Sequence, residues 1–195
     1  MSGARMRPSR AAVRMTLEEW EALDEDVAGE LVDGVLVEEE VPSYVHETIV
    51  NWLAQVLGSW ARAHGGFAAT SGVKFGLAAG LGRMPDYSVF LGGRRPPREG
   101  LVRMPPDVAV EIVSRTARDQ RRDRVEKLAE YARFGIPYYW IVDPKPRTVE
   151  IFALRDDASY ELAFIASAGH HDAIPGCDGL VLDLDDLWAE VGRLS

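Results

Sequence analysis

Two acidic residues accompany apolar segments that the sequence predicts to be β-strands. Asp86 follows a proline in "MPDYSVF", and Glu111 lies inside "PPDVAVEIVS", whose apolar residues predict a strand buried on both faces. Burying an ionised carboxylate without a partner costs several kcal/mol. The charge of Glu111 must therefore be compensated by another group or used in chemistry.

Asp86 and Glu111 together predict a site for a hard divalent cation. If the two strands are neighbours in one sheet, both carboxylates point into the same cleft. Mg²⁺ takes oxygen ligands, typically one or two carboxylates with water and substrate phosphate in the remaining positions, and Mn²⁺ is the expected substitute. The alternative is that Asp86 caps a turn and Glu111 pairs with an arginine.

The predicted helix after Glu111 carries a candidate lysine. Asp123, Lys127 and Tyr131 are spaced by four and should lie along one side of this helix. The apolar stripe beside them is predicted to be Val125, Leu128, Ala129 and Ala132. A short connection could bring Lys127 over the Glu111 strand, where it could stabilise charge on a phosphate or orient water. The alternative is a surface lysine paired with Asp123.

The overall charge limits where a polyanion could bind. The chain has 195 residues and a formal net charge of -9, which argues against a surface that binds nucleic acid everywhere. A local basic groove is still compatible with this charge. The candidate segment contains Arg115, Arg118, Arg121, Arg122, Arg124 and Lys127. A solvated helix face laced with acidic partners is the alternative for these residues.

Cysteine and histidine usage gives less specific signals. Cys177 is the single cysteine, which excludes an internal disulfide framework and a zinc site with several cysteines. His170 and His171, followed by Asp172, could bind a transition metal or mark an exposed loop. Tyr131 and Trp140 are expected to be core or wall residues, since neither loses a proton readily near neutral pH.

The organisation of the chain favours one cytoplasmic domain. No apolar run approaches the roughly 18 residues that are needed to span a bilayer, so no membrane association is expected. The basic segment 1–15 lacks the continuous apolar stretch of a secretory signal and is predicted to be a flexible arm. Residues 16–195 are predicted to form a single domain.

Apolar periodicity and turn signals predict a mixed fold. Asp33-Gly34 favours a hairpin, and residues 44–64 predict a long amphipathic helix that Gly65 ends. "FAATSGVKFGL", "MPDYSVFLG", "PYYWIVD", "TVEIFAL" and "SYELAFIAS" are predicted strands, and "LDLDDLWAEV" a short helix. Strands interspersed with helices predict an α/β or α+β domain around a mixed sheet.

Several segments resemble the Uma2 family, whose members are restriction-endonuclease-like proteins of the PD-(D/E)xK nuclease superfamily. The matching segments are "GELVDGVLV", "HETIVNWLAQVL", "MPDYSVF", "PPDVAVEIVS", "DRVEKLAEYARFGIPYYWIVDP" and "TVEIFAL". They occur in the order of the family between residues 16 and 188, and the longest of them is the most specific. The resemblance implies a restriction-endonuclease-like core, with a central mixed sheet flanked by helices.

The resemblance also implies roles for individual residues. Asp86 and Glu111 would be the metal ligands, with the main-chain carbonyl of Ile112 as a third. The superfamily usually has its lysine two residues after the second acid, a position that Val113 occupies here. Lys127 resembles the replacement that other members supply from the following helix.

Further residues are implied with less specific roles. Glu30 in "GELVDG" resembles an additional acid that some members contribute from an early element. His46 falls where the family commonly has a histidine, and it could contact substrate, assist the water or serve a structural role. The phosphates of the substrate are expected to contact Arg118, Arg121 and Arg122.

The resulting hypothesis is a Mg²⁺-dependent DNA endonuclease in which a water on the metal attacks the phosphodiester bond. DNA is preferred over RNA through the resemblance alone. A homodimer would allow two sites to cut both strands. The alternative is a catalytically inactive module that binds nucleic acid or protein, because a shared fold does not establish activity.

Overall fold

The structure is a computed structural model that describes residues 14–24, 27, 29–38, 41–113 and 121–194. The first strands are β1 (Glu30–Val32), β2 (Val35–Val37), β3 (Phe67–Thr70), β4 (Phe75–Ala78), β5 (Leu81–Arg83) and β6 (Tyr87–Phe90). The later strands are β7 (Val108–Ile112), β8 (Tyr138–Asp143), β9 (Thr148–Leu154), β10 (Tyr160–Ala166), β11 (His170–His171) and β12 (Leu182–Asp183).

Four helices are present in the described residues, and the last three lie where the sequence predicts helices. They are α1 (Leu17–Glu21), α2 (Tyr44–Ala63), α3 and α4 (Leu184–Gly192). Helix α3 begins as a π-helical segment, Arg122–Lys127, and continues as the α-helix Leu128–Phe134. Gly135 adopts a left-handed φ of 90° directly after α3 and ends it, the role that glycine commonly has after a helix. Within the described residues, no helix combines the length and apolar character needed to cross a membrane.

A six-stranded sheet in the order β10-β9-β8-β7-β6-β3 forms the centre of the fold. Strands β7 and β8 run parallel, whereas the other neighbouring pairs of this sheet are antiparallel. A second, four-stranded sheet has the order β2-β1-β5-β4, and β11 pairs with β12. The predicted mixed sheet is therefore confirmed.

Side chains of β7 alternate between two cores. Val108, Val110 and Ile112 pack in the larger core, to which α2 and α4 contribute. Ala109 lies in a smaller core on the opposite face, together with Tyr131 of α3. The central sheet is thus flanked by helices on both faces, which confirms the expected α+β class. Glu111 shares the face of Ala109, because alternate residues of a strand point to the same side.

The segment "FAATSGVKFGL" forms two strands, so its prediction as one strand is wrong. Gly72 has a φ of 97° and lies in the turn between β3 and β4. Strand β3 then pairs with β6 at the edge of the central sheet, whereas β4 pairs with β5 in the second sheet. Apolar periodicity does not reveal this division, because both halves continue the same kind of pattern.

The predicted apolar stripe of α3 is also wrong at its first position. Val125 is 56% exposed, while Arg122, Asp123 and Lys127 are buried in the same π-helical segment. A π-helical turn changes the angular spacing of side chains from that of an α-helix. The buried side of this segment is therefore polar.

Some predictions concern residues that the structure leaves undescribed. The proposed amino-terminal arm lies almost entirely outside the described residues, as does Arg118. The hairpin is described, and Asp33 and Gly34 adopt φ values of 50° and 73° between β1 and β2. This hairpin carries Glu30 at the start of β1.

Gly82→Ala should destabilise the second sheet. A Cβ atom at position 82 would lie 2.3 Å from Cζ3 of the fully buried Trp20 ring, which has no room to shift freely. We expect the free energy of unfolding to fall by roughly 1–3 kcal/mol in urea denaturation.

The matched control is Gly192→Ala, because nothing lies within 4 Å of a Cβ atom built at that position. This variant should be at least as stable as the wild type, because Gly192 is the last residue of α4 and alanine is the better helix former. Equal stability of both variants would contradict the packing argument.

Candidate active site

Strand pairing brings Asp86 to the end of β7. In the antiparallel register of β6 and β7, Tyr87 lies opposite Val110, and Asp86 directly precedes Tyr87. The main-chain N–H of Ile112 donates a hydrogen bond to Oδ2 of Asp86 at 2.7 Å. The two strands that carry the predicted acids are therefore neighbours.

The buried charge of Glu111 is compensated from α3. Nζ of Lys127 lies 2.8 Å from Oε2 of Glu111. The hydroxyl of Tyr131 donates to Oε1 of Glu111 at 2.6 Å. The compensating partner is thus the lysine that the sequence analysis selected, rather than an arginine.

Lys127 contacts more than one carboxylate. Besides Glu111, its Nζ lies 3.3 Å from Oε1 of Glu30 and 3.6 Å from Oδ1 of Asp123. The lysine side chain is only 6% exposed. The alternative of a surface lysine paired with Asp123 alone is therefore wrong. We refer to Glu30, Asp86, Glu111 and Asp123 as the acidic cluster.

Glu30 reaches the acidic cluster from the second sheet. It is fully buried, and its Oε2 accepts a hydrogen bond from Nη1 of Arg83 at 2.6 Å. The N–H of Met84 donates to Oε1 of Glu30 at 3.1 Å. Nε and Nη2 of Arg83 also donate to Glu130 of α3, at 2.7 and 3.0 Å. Arg83 therefore connects Glu30 to the helix that carries Lys127.

Burial and charge act on the pKa values of the acids in opposite directions. Burial raises the pKa of Glu111 well above its usual range, despite the attraction of Lys127. Burial likewise raises the pKa of Asp123 to about 6. For Glu30, burial is outweighed by Lys127 and Arg83, so its pKa is lowered. Glu111 and Asp123 are therefore the acids whose ionisation is least well compensated.

Lys127 stays protonated in this setting. Burial on its own would lower the pKa of the ammonium group, but Glu111, Glu30 and Asp123 together raise it well above its usual range. A lysine with a raised pKa is a poor proton acceptor at neutral pH. Lys127 is therefore suited to electrostatic stabilisation and unsuited to general base catalysis.

His46 contacts the acidic cluster from the first turn of α2. Its Nε2 lies 3.0 Å from Oδ1 of Asp86, and its Nδ1 lies 3.2 Å from Oε1 of Glu47. Burial would lower the pKa of His46, but its hydrogen bond with Asp86 raises it overall. Asp86 is thus oriented by His46 on one oxygen and by Ile112 on the other.

The donor set fits a divalent cation. The four carboxylates of the acidic cluster act on one another electrostatically. With Glu130 they outnumber the cationic groups that act on them, which are Lys127, Arg83, Arg122 and His46. Hard cations such as Mg²⁺ and Mn²⁺ prefer oxygen donors of this kind. A cation would also offset the charge that raises the pKa values of Glu111 and Asp123. The residues that are present therefore match the metal that the resemblance implies.

The predicted phosphate-contacting arginines differ in their surroundings. Arg121 is exposed, whereas Arg122 is only 9% exposed. The neighbouring Arg124 forms ion pairs with Asp143 at 3.0 Å and with Glu150 at 2.8 Å. Of these three, Arg121 has the exposure that a phosphate contact requires.

His170 and His171, for which a transition-metal site and an exposed loop were both open, form the short strand β11. His170 lies with Asp183 and Asp185, and its Nε2 is 2.8 Å from Oδ2 of Asp183. Nε2 of His171 is bonded to the carbonyl of Ala168. The buried Cys177 has its pKa raised to about 12, so its thiol stays protonated.

Parts of the site are not apparent from the sequence. The spacing of four places Asp123 on the same side of the helix as Lys127, but it does not identify Asp123 as a member of the acidic cluster. Tyr131 was expected to be a core residue, and it is buried, but it also donates to Glu111. No sequence pattern predicts the pairing of Arg83 with Glu130, because the two residues are distant in sequence and meet only in the folded protein.

A mixed sheet flanked by helices, with acids on neighbouring strands and a lysine over the second acid, defines a restriction-endonuclease-like nuclease fold. The model of the Uma2 family, described as putative restriction endonuclease, matches residues 15–185. The chain belongs to the Uma2 family.

The fold is similar to a crystal structure from Anabaena variabilis, of a protein described as a putative nuclease belonging to DUF820. The TM-score is 0.71 at 23% sequence identity, and the match covers 91% of this chain and 99% of the other. At this identity the similarity concerns the fold alone. No curated protein is significantly similar in sequence.

Asp123→Asn should stabilise the metal-free protein above about pH 6. Asp123 has a reference pKa of 3.8 and a folded pKa of about 6. Between these values the folded state binds more protons, so stability falls as the pH rises through this window. The asparagine variant avoids this loss. In urea denaturation with EDTA, it should exceed the wild type by about 1–3 kcal/mol at a pH of about 8.

The two proteins should have similar stability below about pH 3, where the aspartate is mostly protonated in both states. The exposed Asp156 provides the control, and Asp156→Asn should match the wild type at every pH. If Asp123→Asn raises the free energy of unfolding by the same amount at every pH, the gain in stability does not come from the ionisation of Asp123.

Proposed function

We propose that this protein is a metal-dependent DNA endonuclease that hydrolyses phosphodiester bonds. The observation that carries this proposal is the meeting of Asp86 and Glu111 on neighbouring strands, with Lys127 2.8 Å from Glu111. Membership of the Uma2 family and the nuclease-like fold support the same reaction class.

Asp86 and Glu111 would hold Mg²⁺ or Mn²⁺, with the main-chain carbonyl of Ile112 as a third ligand. When bound, the cation activates water and neutralises charge on the phosphate. Both carboxylates are already oriented by hydrogen bonds, Asp86 by Ile112 N–H and Glu111 by the hydroxyl of Tyr131. Such orientation reduces the rearrangement that the site would need during the reaction.

Lys127 would stabilise the negative charge that develops on the scissile phosphate. Its position among Glu111, Glu30 and Asp123 keeps it protonated. A fixed cation in a buried site is more effective than one in water, because the surroundings screen it less. Glu30 would act mainly by positioning this lysine.

Contacts to the rest of the substrate would come from a few side chains. His46, next to Asp86, is placed to contact the scissile strand or to orient water. Arg121 is exposed at the start of α3 and would contact a neighbouring phosphate. Because the net charge of the chain is -9, such contacts would be local.

Oligomeric state and location belong to the same proposal. A homodimer related by twofold symmetry would present two sites to the two strands of a duplex. The expected location is the cytoplasm.

Asp86→Asn and Glu111→Gln should each reduce cleavage of supercoiled and linear DNA by about 100-fold or more, because each removes a charge that would hold the cation. The measurement is the rate of nicking with Mg²⁺, Mn²⁺ or EDTA, together with calorimetric titration of Mn²⁺. Glu161→Gln is the control, since Glu161 is exposed on β10, and it should retain full activity. Absence of both cleavage and metal binding in the wild type would favour a binding module instead.

Lys127→Met should separate catalysis from metal binding. Without Lys127, Glu111 loses its cationic partner while Glu30 keeps Arg83, so the metal-free protein should be destabilised by about 3–5 kcal/mol. Added Mn²⁺ should recover more stability in this variant than in the wild type, because it replaces the missing charge. The cleavage rate should still fall by roughly 100- to 1,000-fold.

The control for this variant is Lys145→Met in the exposed turn after β8. It should change neither the stability of the metal-free protein nor the cleavage rate. Full cleavage by Lys127→Met would rule out an electrostatic role for the lysine in the reaction.

A further inference from the structure

A cleft of about 480 Å³ lies against β3, β6 and the loop that precedes β7, and none of the acidic-cluster residues lines it. Its volume lies within the range of ~300–1,000 Å³ that is typical of small-ligand sites. The lining side chains that matter here are Phe67, Ala69, Lys74, Ser88, Phe90 and Arg98. They come from β3, β6, the turn before β4 and the loop that precedes β7.

The cleft continues the face of the sheet that carries the acids. Ser88 lies opposite Ala109 of β7 and opposite Ala69 of β3. Directly opposed residues share a face of the sheet, and Ala109 belongs to the core on the α3 side. Asp86 precedes Ser88 by two residues along the chain. The floor of the cleft and the proposed metal ligands therefore lie side by side on one surface.

An exposed aromatic ring lies in this floor. Phe67 is 44% exposed on β3, which forms the outer edge of the central sheet. The guanidinium carbon of Arg95 lies 5.8 Å from the centre of the Phe67 ring. Aromatic rings and arginine side chains are the surfaces on which nucleic-acid bases stack in single-strand-binding proteins.

The lining of the cleft carries two acids, Glu21 and Glu99, and two cations, but the loop at its rim is basic. Arg95 and Arg98 are exposed in the loop "GGRRPPREG", which contains a single acidic residue, Glu99. Arg94 of the same loop is held by an ion pair with Asp107 at 2.8 Å. A basic loop on a chain with a net charge of -9 marks this rim as a local site for phosphates.

We infer that the cleft holds an unpaired base of the DNA strand that is being cut, stacked against Phe67 and Arg95 while Arg98 contacts an adjoining phosphate. This inference rests on the proposed function, and it names a substrate class for it. A base that is stacked within a duplex cannot enter such a cleft, and extruding one costs a few kcal/mol. Single-stranded, mismatched or bubble DNA would therefore be the preferred substrate.

The test compares two fluorescent single strands, oligothymidine and a strand of equal length in which the central nucleotides are abasic. Affinity is measured by anisotropy at low salt in EDTA, so that cleavage does not affect the result. The wild type should bind oligothymidine roughly 5- to 100-fold more tightly than the abasic strand. Phe67→Ala and the cleft-filling Ala69→Leu should reduce this ratio to near one, whereas Phe67→Tyr should retain it.

The matched control is Leu162→Ala, because Leu162 is 50% exposed on β10 at the opposite edge of the same sheet. It should keep the wild-type ratio. A ratio of one in the wild type, or an undiminished ratio in both Phe67→Ala and Ala69→Leu, would overturn the inference.

A parallel cleavage assay separates this inference from the proposed function. The wild type should cut bubble DNA faster than a duplex of the same sequence, in a reaction that needs metal. If Phe67→Ala loses this preference for the bubble, the result would support both the base-binding cleft and the nuclease proposal. If the protein cuts DNA in a metal-dependent reaction but binds oligothymidine and the abasic strand equally tightly, only the inference that the cleft binds a base would be overturned. Base-dependent binding without cleavage in any metal would support the base site and overturn the nuclease proposal.

Discussion

The buried ion pair between Lys127 and Glu111 is the interaction on which the rest of the site depends. Two charged groups removed from water are costly, and their attraction offsets that cost only when hydrogen bonds satisfy the remaining polar atoms. Here Tyr131 occupies the second oxygen of Glu111, and Glu30 and Asp123 surround the ammonium group. The pair fixes the packing of α3 against β7, since neither charge has water as an alternative partner.

The π-helical segment follows from the same requirement. It buries Arg122, Asp123 and Lys127 and leaves Val125 exposed, which reverses the usual preference of a helix packed on a sheet. Polar residues tolerate such burial only where charged partners are present. The acids of the sheet and the cation of the helix thus determine each other's positions. The excess of acids over cations then leaves a charge that a divalent metal would compensate.

Much of the fold could be predicted from the sequence because its signals are local. The hairpin at Asp33-Gly34, the end of α3 at Gly135 and the existence of strands β6 and β7 follow from turn chemistry or short apolar runs, whereas the pairing of β6 with β7 does not. Lys127 was found because spacing along a helix fixes its direction, and because the family resemblance supplied its role.

The remaining features depend on contacts between distant segments. Whether β3 and β4 lie in one sheet or two is decided by their pairing partners, which no local pattern encodes. Arg83 was missed for the same reason, since its partners Glu30 and Glu130 lie 53 and 47 residues away. Yet Arg83 joins the second sheet to α3, and the same sheet meets the loop before β7 where Gly76 N–H donates to the carbonyl of Val102. The second sheet therefore connects Glu30, the acid beside Lys127, with the loop that borders the cleft. Both parts of the proposed substrate site are thus held by the same sheet.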